Sequence, residues 1–142
     1  MTREIKPYWH IHHDRLLELL EPSDDIGERI KFIKAKKPKC QIELRLRLLK
    51  PVRGKLPDPV VRTIKAYDKA CKKLQETYTT FIQVSGTCHE VRKTYQDAWI
   101  ARGKAERVFN EAVMAHQVEI EALHKRECPN CPWDGTTIFP QC

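Results

Sequence analysis

The longest regular pattern in the chain lies between residues 57 and 127. Val60, Ile64, Tyr67, Cys71, Leu74, Tyr78 and Phe81 recur at alternating steps of four and three, among mostly charged or polar positions. That spacing lays one apolar stripe along a helix, the seam of a coiled-coil-like pair. Asp58 and Pro59 supply the start, Asp58 as N-cap and Pro59 as the first helical residue. Ser85-Gly86 supplies the stop, because Gly86 adopts a left-handed C-terminal conformation at little cost. Thr87 with Glu90 then reads as a capping box. It opens a second helix whose stripe is Val91, Tyr95, Ala98, Ala105, Phe109, Val113, His116, Ile120 and Leu123. Two amphipathic helices joined by a glycine turn predict an antiparallel hairpin, with arms at 59–85 and 88–127. The competing arrangement is one helix that runs through Gly86 and pairs with a second copy, since a helical glycine costs only about 1 kcal/mol against alanine.

The pattern changes on either side of the hairpin. In 1–56, Tyr8 to His13 reads as a short strand, with His10 and His12 on one face and Trp9, Ile11 and His13 on the other. Leu16, Leu17, Leu19 and Leu20 suggest a short helix capped by Asp14. Ser23-Asp24-Asp25 precedes Ile26, Ile30 and Ile33, an apolar face at helical spacing. Ile42, Leu44, Leu46 and Leu48 alternate with polar residues as in a strand, yet Leu48-Leu49 breaks the alternation and the segment has good helix propensity. Strand and helix both stay open there. Residues 51–57 form a proline-bounded loop, and 128–142 a tail rich in Cys, Pro and Gly. The expected fold is mainly α: a long hairpin over 57–127, a small mixed N-terminal module over 1–56, and a Cys/Pro-rich tail over 128–142 packed back on that module.

Composition narrows the class. With 142 residues, 41% apolar and 32% charged, the chain suits about one globular domain. No apolar run approaches the ~20 residues of a membrane span, and Met1 to His10 has no apolar leader. Six cysteines without an export signal are expected in a reducing cytoplasm, as thiols or metal ligands. The net charge is +7, and residues 29–55 hold eleven basic residues against Glu43 alone. Such a block suits an anionic partner; it would equally serve as a solvated face that keeps the chain soluble.

Two groupings could carry chemistry. His124, Cys128 and Cys131 follow a His-x3-Cys-x2-Cys spacing that zinc accepts at a helix end, with Cys142 or one of His10, His12 and His13 as a fourth ligand. Such a site would be structural, with buried free thiols as the plainer reading. Arg45, Arg47, Lys50 and Arg53 could grip phosphate, with Tyr8, Trp9 and Trp133 stacking on a base and His10, His12 and His13 beside them. The same cations could track a nucleic-acid backbone. No phosphate loop, dinucleotide fingerprint, zinc-protease helix or nucleophile elbow is present, which argues for binding rather than catalysis. The heptad seam also predicts a homo-oligomer, and a purely structural interaction protein would need no ligand.

The two ends carry a resemblance. Trp9-His10-Ile11-His12-His13-Asp14 opens the chain, and Cys128-Pro-Asn-Cys-Pro-Trp-Asp-Gly-Thr-Thr-Ile-Phe-Pro140 closes it. Between them, Ala66-Tyr-Asp-Lys-Ala70 and Tyr95-Gln-Asp-Ala-Trp99 look like eroded Tyr/Trp-x-Lys-Ala units. This resembles a family of small phage and prophage proteins whose ends are joined by a helical tract of such units. The resemblance implies a bacterial host cell, ends that form one module, and helical arms that act as a spacer of variable length. By analogy it also suggests sequestering of an anionic, nucleotide-like host molecule used in defence.

Overall fold

The computed structural model describes residues 4–21, 25–84 and 88–139. In chain order the elements are β1 (Lys6–Trp9), β2 (Leu17–Leu20), α1 (Ile26–Lys36), α2 (Lys39–Leu48), β3 (Lys50–Pro51), α3 (Asp58–Gln83), α4 (His89–Ala115) and α5 (Gln117–Glu127). The chain divides into two compact units, Met1–Leu56 with Val118–Cys142, and Pro57–Gln117. No described helix is long and apolar enough to cross a membrane.

The first unit is built on a three-stranded antiparallel sheet in the order β2-β1-β3. Lys6 faces Leu20 and Trp9 faces Leu17 on one side, and Trp9 faces Lys50 on the other. The leucines expected to form a helix after Asp14 are therefore a strand. Four residues cannot repay the cost of helix nucleation, whereas pairing with β1 buries Leu17. The segment left open at 42–49 is helical over Lys39–Leu48. Gln41 and Arg45 stand one turn apart and bond through their side chains at 2.9 Å, and Leu48 is buried. An (i, i+4) pair of this kind favours the helix over the alternation. Asp25 caps α1 by accepting from the Gly27 amide at 2.8 Å; Ser23 and Asp24 lie outside the described residues. The core of this unit holds Trp9, Ile11, Leu17, Ile33, Leu48, Leu56, Ile120, Leu123 and Ile138.

The second unit is the α3–α4 hairpin. Tyr95 stacks on Phe81 at 5.1 Å, lies 5.6 Å from Tyr78 and meets Trp99 edge-on at 6.4 Å. Farther along the pair, Arg102 reaches over Tyr67. Pro57 rather than Asp58 is the N-cap of α3, with no side-chain capping bond. Asp58 thus sits in the first turn, where its charge still favours the positive helix end. Ser85, Gly86 and Thr87, expected to make the turn and its cap, lie outside the described residues. The second arm is not continuous to 127. It stops at Ala115, and His116 (φ −115°, ψ 24°) shares its N–H between the Ala112 and Val113 carbonyls. No glycine or proline marks this break, which falls where the chain passes from one unit to the other.

Candidate metal centre

His10 follows directly on β1 with a backbone φ of +52°. A left-handed residue ends strand alternation, so His10 and His12 do not share a face as the sequence pattern suggested. The His10 ring is buried, and its Nδ1 lies 3.0 Å from the Arg15 carbonyl oxygen. A carbonyl only accepts, so Nδ1 carries the hydrogen and Nε2 presents its lone pair. That lone pair faces His124 Nε2 at 3.0 Å and Cys131 Sγ at 3.3 Å.

The other two donors come from the end of α5. Cys128 N–H donates to the His124 carbonyl at 2.7 Å and closes the helix, and Cys131 N–H donates to the Cys128 carbonyl at 3.1 Å. This tight turn brings Cys131 back beside His124, which is buried. Among the described residues, His10, His124 and Cys131 form a group whose ligand atoms all lie within 4.8 Å of one another, and this group could hold a metal ion. At ordinary zinc bond lengths a tetrahedral ion separates its nitrogens by roughly 3.3 Å and a nitrogen from a sulfur by roughly 3.6 Å. The two separations from His10, 3.0 and 3.3 Å, are close to these. The His10 Nδ1–H on a backbone carbonyl is also the usual outer contact of a metal-bound histidine.

The electrostatics agree. Burial, reinforced by neighbouring His124, lowers His10 to about 4, so the ring is neutral at pH 7. Burial lowers His124 as well. Both thiols are pushed up, Cys128 and Cys131 alike chiefly by burial. For Cys131 a hydrogen bond from the Trp133 backbone N–H and the charges of Arg47 and Lys50 work the other way. Two neutral imidazoles and a thiol that loses its proton to solvent on binding a cation are the chemistry of a zinc-type donor set.

The remaining sequence candidates are distributed unevenly. Cys128 is buried and close enough to Cys131 for their charges to interact, yet it is not one of the three converging donors. Cys142 lies outside the described residues. Cys40, expected with the other cysteines to be a thiol or a metal ligand, is instead in a disulfide. His12 is exposed and bonds to Glu18 at 2.8 Å, and His13 bonds to Thr137 Oγ1 at 3.2 Å, so neither reaches the group. Trp133 packs its ring 5.3 Å from His10.

The basic and aromatic residues also part company. Trp9 is 0% exposed, so it has no face free for a base. Its ring meets His124 edge-on at 5.1 Å, and its Nε1 donates to Glu127 Oε1 at 3.3 Å. Arg45 is buried, bonded to Gln41 and stacked 4.9 Å over Phe139. Tyr8 is half-buried in β1, and Arg47 is exposed. Lys50 and Arg53 do come together. With Trp9, Pro51, Arg126 and Glu127 they line a cavity of about 290 Å³.

Sequence reasoning missed Arg126 and Glu127. Glu127 ends α5, where the helix dipole disfavours a carboxylate. Its position is explained by three donors: the Arg53 amide at 2.7 Å, the Gly54 amide at 2.8 Å and the Trp9 indole. Burial alone would raise the Glu127 carboxyl, but those amides, the indole and the Arg53 charge outweigh it and hold the group below its usual value. An acidic residue on the wrong end of a helix was the signal available in the sequence. Comparison with protein-family models, with curated proteins and with solved structures gave no match.

Proposed function

We propose that this protein is a non-enzymatic binding module stapled by a structural zinc ion, with an anionic ligand as its target. The observation that carries the zinc reading is the His10 lone pair, fixed by the Arg15 carbonyl and aimed at His124 and Cys131. Cys128, buried three residues before Cys131 but outside the converging trio, is the candidate fourth ligand, and a turn of its side chain towards the trio would close the coordination shell. When bound, the ion ties the end of β1 to the end of α5 and to the tail, segments far apart in sequence. Closing so long a loop removes conformational freedom from the unfolded chain. The anionic target rests on the excess of cations in 29–55 and on Lys50 and Arg53 lining a cavity beside the centre.

Metal analysis of protein prepared without chelator tests the zinc reading. One zinc per chain is expected, and cobalt exchanged into the site should show tetrahedral visible bands with thiolate charge transfer. Cys131→Ser and His10→Ala should each abolish stoichiometric binding, and Cys128→Ser should weaken it and reduce the thiolate band. A wild-type chain that takes up no zinc or cobalt when loaded at neutral pH would sink the proposal.

A further inference from the structure

We infer that the cavity lined by Trp9, Lys50, Pro51, Arg53, Arg126 and Glu127 is a binding site for a phosphate monoester. This rests on the anionic-target reading above and names its site and chemical class. The cavity is about 290 Å³, near the lower end of the roughly 300–1,000 Å³ typical of small-ligand pockets. Three cationic side chains border it, and among the described residues none of Lys50, Arg53 and Arg126 is in a salt bridge. The single carboxylate on its wall, Glu127, is already held by the Arg53 and Gly54 amides and the Trp9 indole. Its charge also meets that of Arg53, so one of the three positive charges is offset and the wall keeps a cationic excess.

The chemistry selects phosphate. Two guanidinium forks and an ammonium match a group with several charged oxygens, and arginine engages such oxygens in pairs. A monoester at neutral pH carries close to two negative charges, enough to balance the excess on the wall. The cavity offers no stacking partner for a base, because Trp9 is wholly buried and committed through its indole N–H. Recognition therefore falls on the phosphate and a small attached group rather than on a nucleobase. This departs from the sequence expectation, in which Tyr8, Trp9 and Trp133 stacked on the ligand.

Arg29, Lys37 and Arg45 make a second concentration of positive charge in the same unit. Arg45 is bonded to Gln41 and stacked on Phe139, and Arg29 bonds the Ile11 carbonyl at 2.9 Å and lies over Phe32, while its buried Nε has no hydrogen-bond partner among the described residues. That cluster serves as the control.

The test is calorimetric titration of the zinc-loaded protein with ribose 5-phosphate, with ribose as the uncharged counterpart and a short single-stranded RNA as the polyanion. Ribose 5-phosphate should bind and ribose should not. Lys50→Gln and Arg126→Gln should each weaken binding about tenfold or more, the loss expected for a charge-assisted hydrogen bond. Lys37→Gln should leave it unchanged. Arg126 is exposed and Lys50 half-buried, and equal melting temperatures would show that the variants fold. If the ester binds with wild-type strength to the cleft variants, or is lost in Lys37→Gln, the cleft assignment falls while the anionic reading stands. Binding of RNA without the monoester overturns the assignment in favour of a nucleic-acid target. If none of the anions binds, both readings fall.

Discussion

At the scale of single residues, two positions bear weight beyond their size. Gly54 lets the 53–54 loop approach α5 closely. A Cβ there would stand 2.5 Å from Leu123 Cδ1 and 2.8 Å from Glu127 Oε2. Neither neighbour is free to yield, because Leu123 is buried and Glu127 is held by three donors. Gly54→Ala should therefore destabilise the protein by about 1–3 kcal/mol, the usual cost of overpacking, read as a lower denaturation midpoint. An unchanged midpoint would show that the loop can retreat. His10 gives a pH dependence. Its folded-state value of about 4 lies below the ordinary 6.5, so as pH falls the unfolded chain takes up the proton first. The stability contributed by the neutral ring is complete above 6.5 and is lost as pH falls from 6.5 towards 4. The metal-free protein should melt at progressively lower temperature across that window, and His10→Gln should flatten the dependence. Equal slopes for the two proteins would contradict the buried neutral ring.

At the scale of elements, the sequence was most readable where the pattern was longest. The seam from Val60 to Phe81 and the stripe from Val91 to Phe109 repeat often enough to specify helices, and the two helices pair through Tyr78, Phe81, Tyr95 and Trp99. Short segments were decided by partners that no local pattern contains. Leu17–Leu20 became a strand because β1 was there to pair with it, and Lys39–Leu48 became a helix despite its alternation. The break at His116 likewise has no local signal, and it lies two residues before Val118, where the first unit resumes. The centre was half legible. The spacing of His124, Cys128 and Cys131 pointed to the end of α5, but the donor that meets Cys131 there is His10, which the sequence could offer only as one of several candidates. What selects His10 is its left-handed backbone and the Arg15 carbonyl. Both are products of the β1–β2 turn and invisible to residue counting. The basic block misled in a similar way. Arg45 was absorbed into packing, while Arg126 joined the cavity from the far end of the chain.

At the scale of the whole molecule, the centre and the cleft are made of adjoining residues. His10 follows Trp9, Cys128 follows Glu127, and the Lys50 charge acts on His124, Cys128 and Cys131 while its side chain lines the cavity. A zinc ion that fixes His10, Cys128 and Cys131 would therefore also fix the indole and carboxylate on the cavity wall. Zinc and phosphate ester should bind cooperatively, and the factor by which each tightens the other must be the same. A coupling of about tenfold lies in the ordinary range for linked sites. The hairpin contains none of these residues and is held by its own ring contacts. Chelation should accordingly lower ribose 5-phosphate affinity about tenfold and erase near-ultraviolet signals from Trp9 and Trp133, while most far-ultraviolet helical signal persists. Were chelation to leave the affinity untouched, the ion would not organise the cleft. Were it to melt all helices in one step, the two units would not be separable in stability.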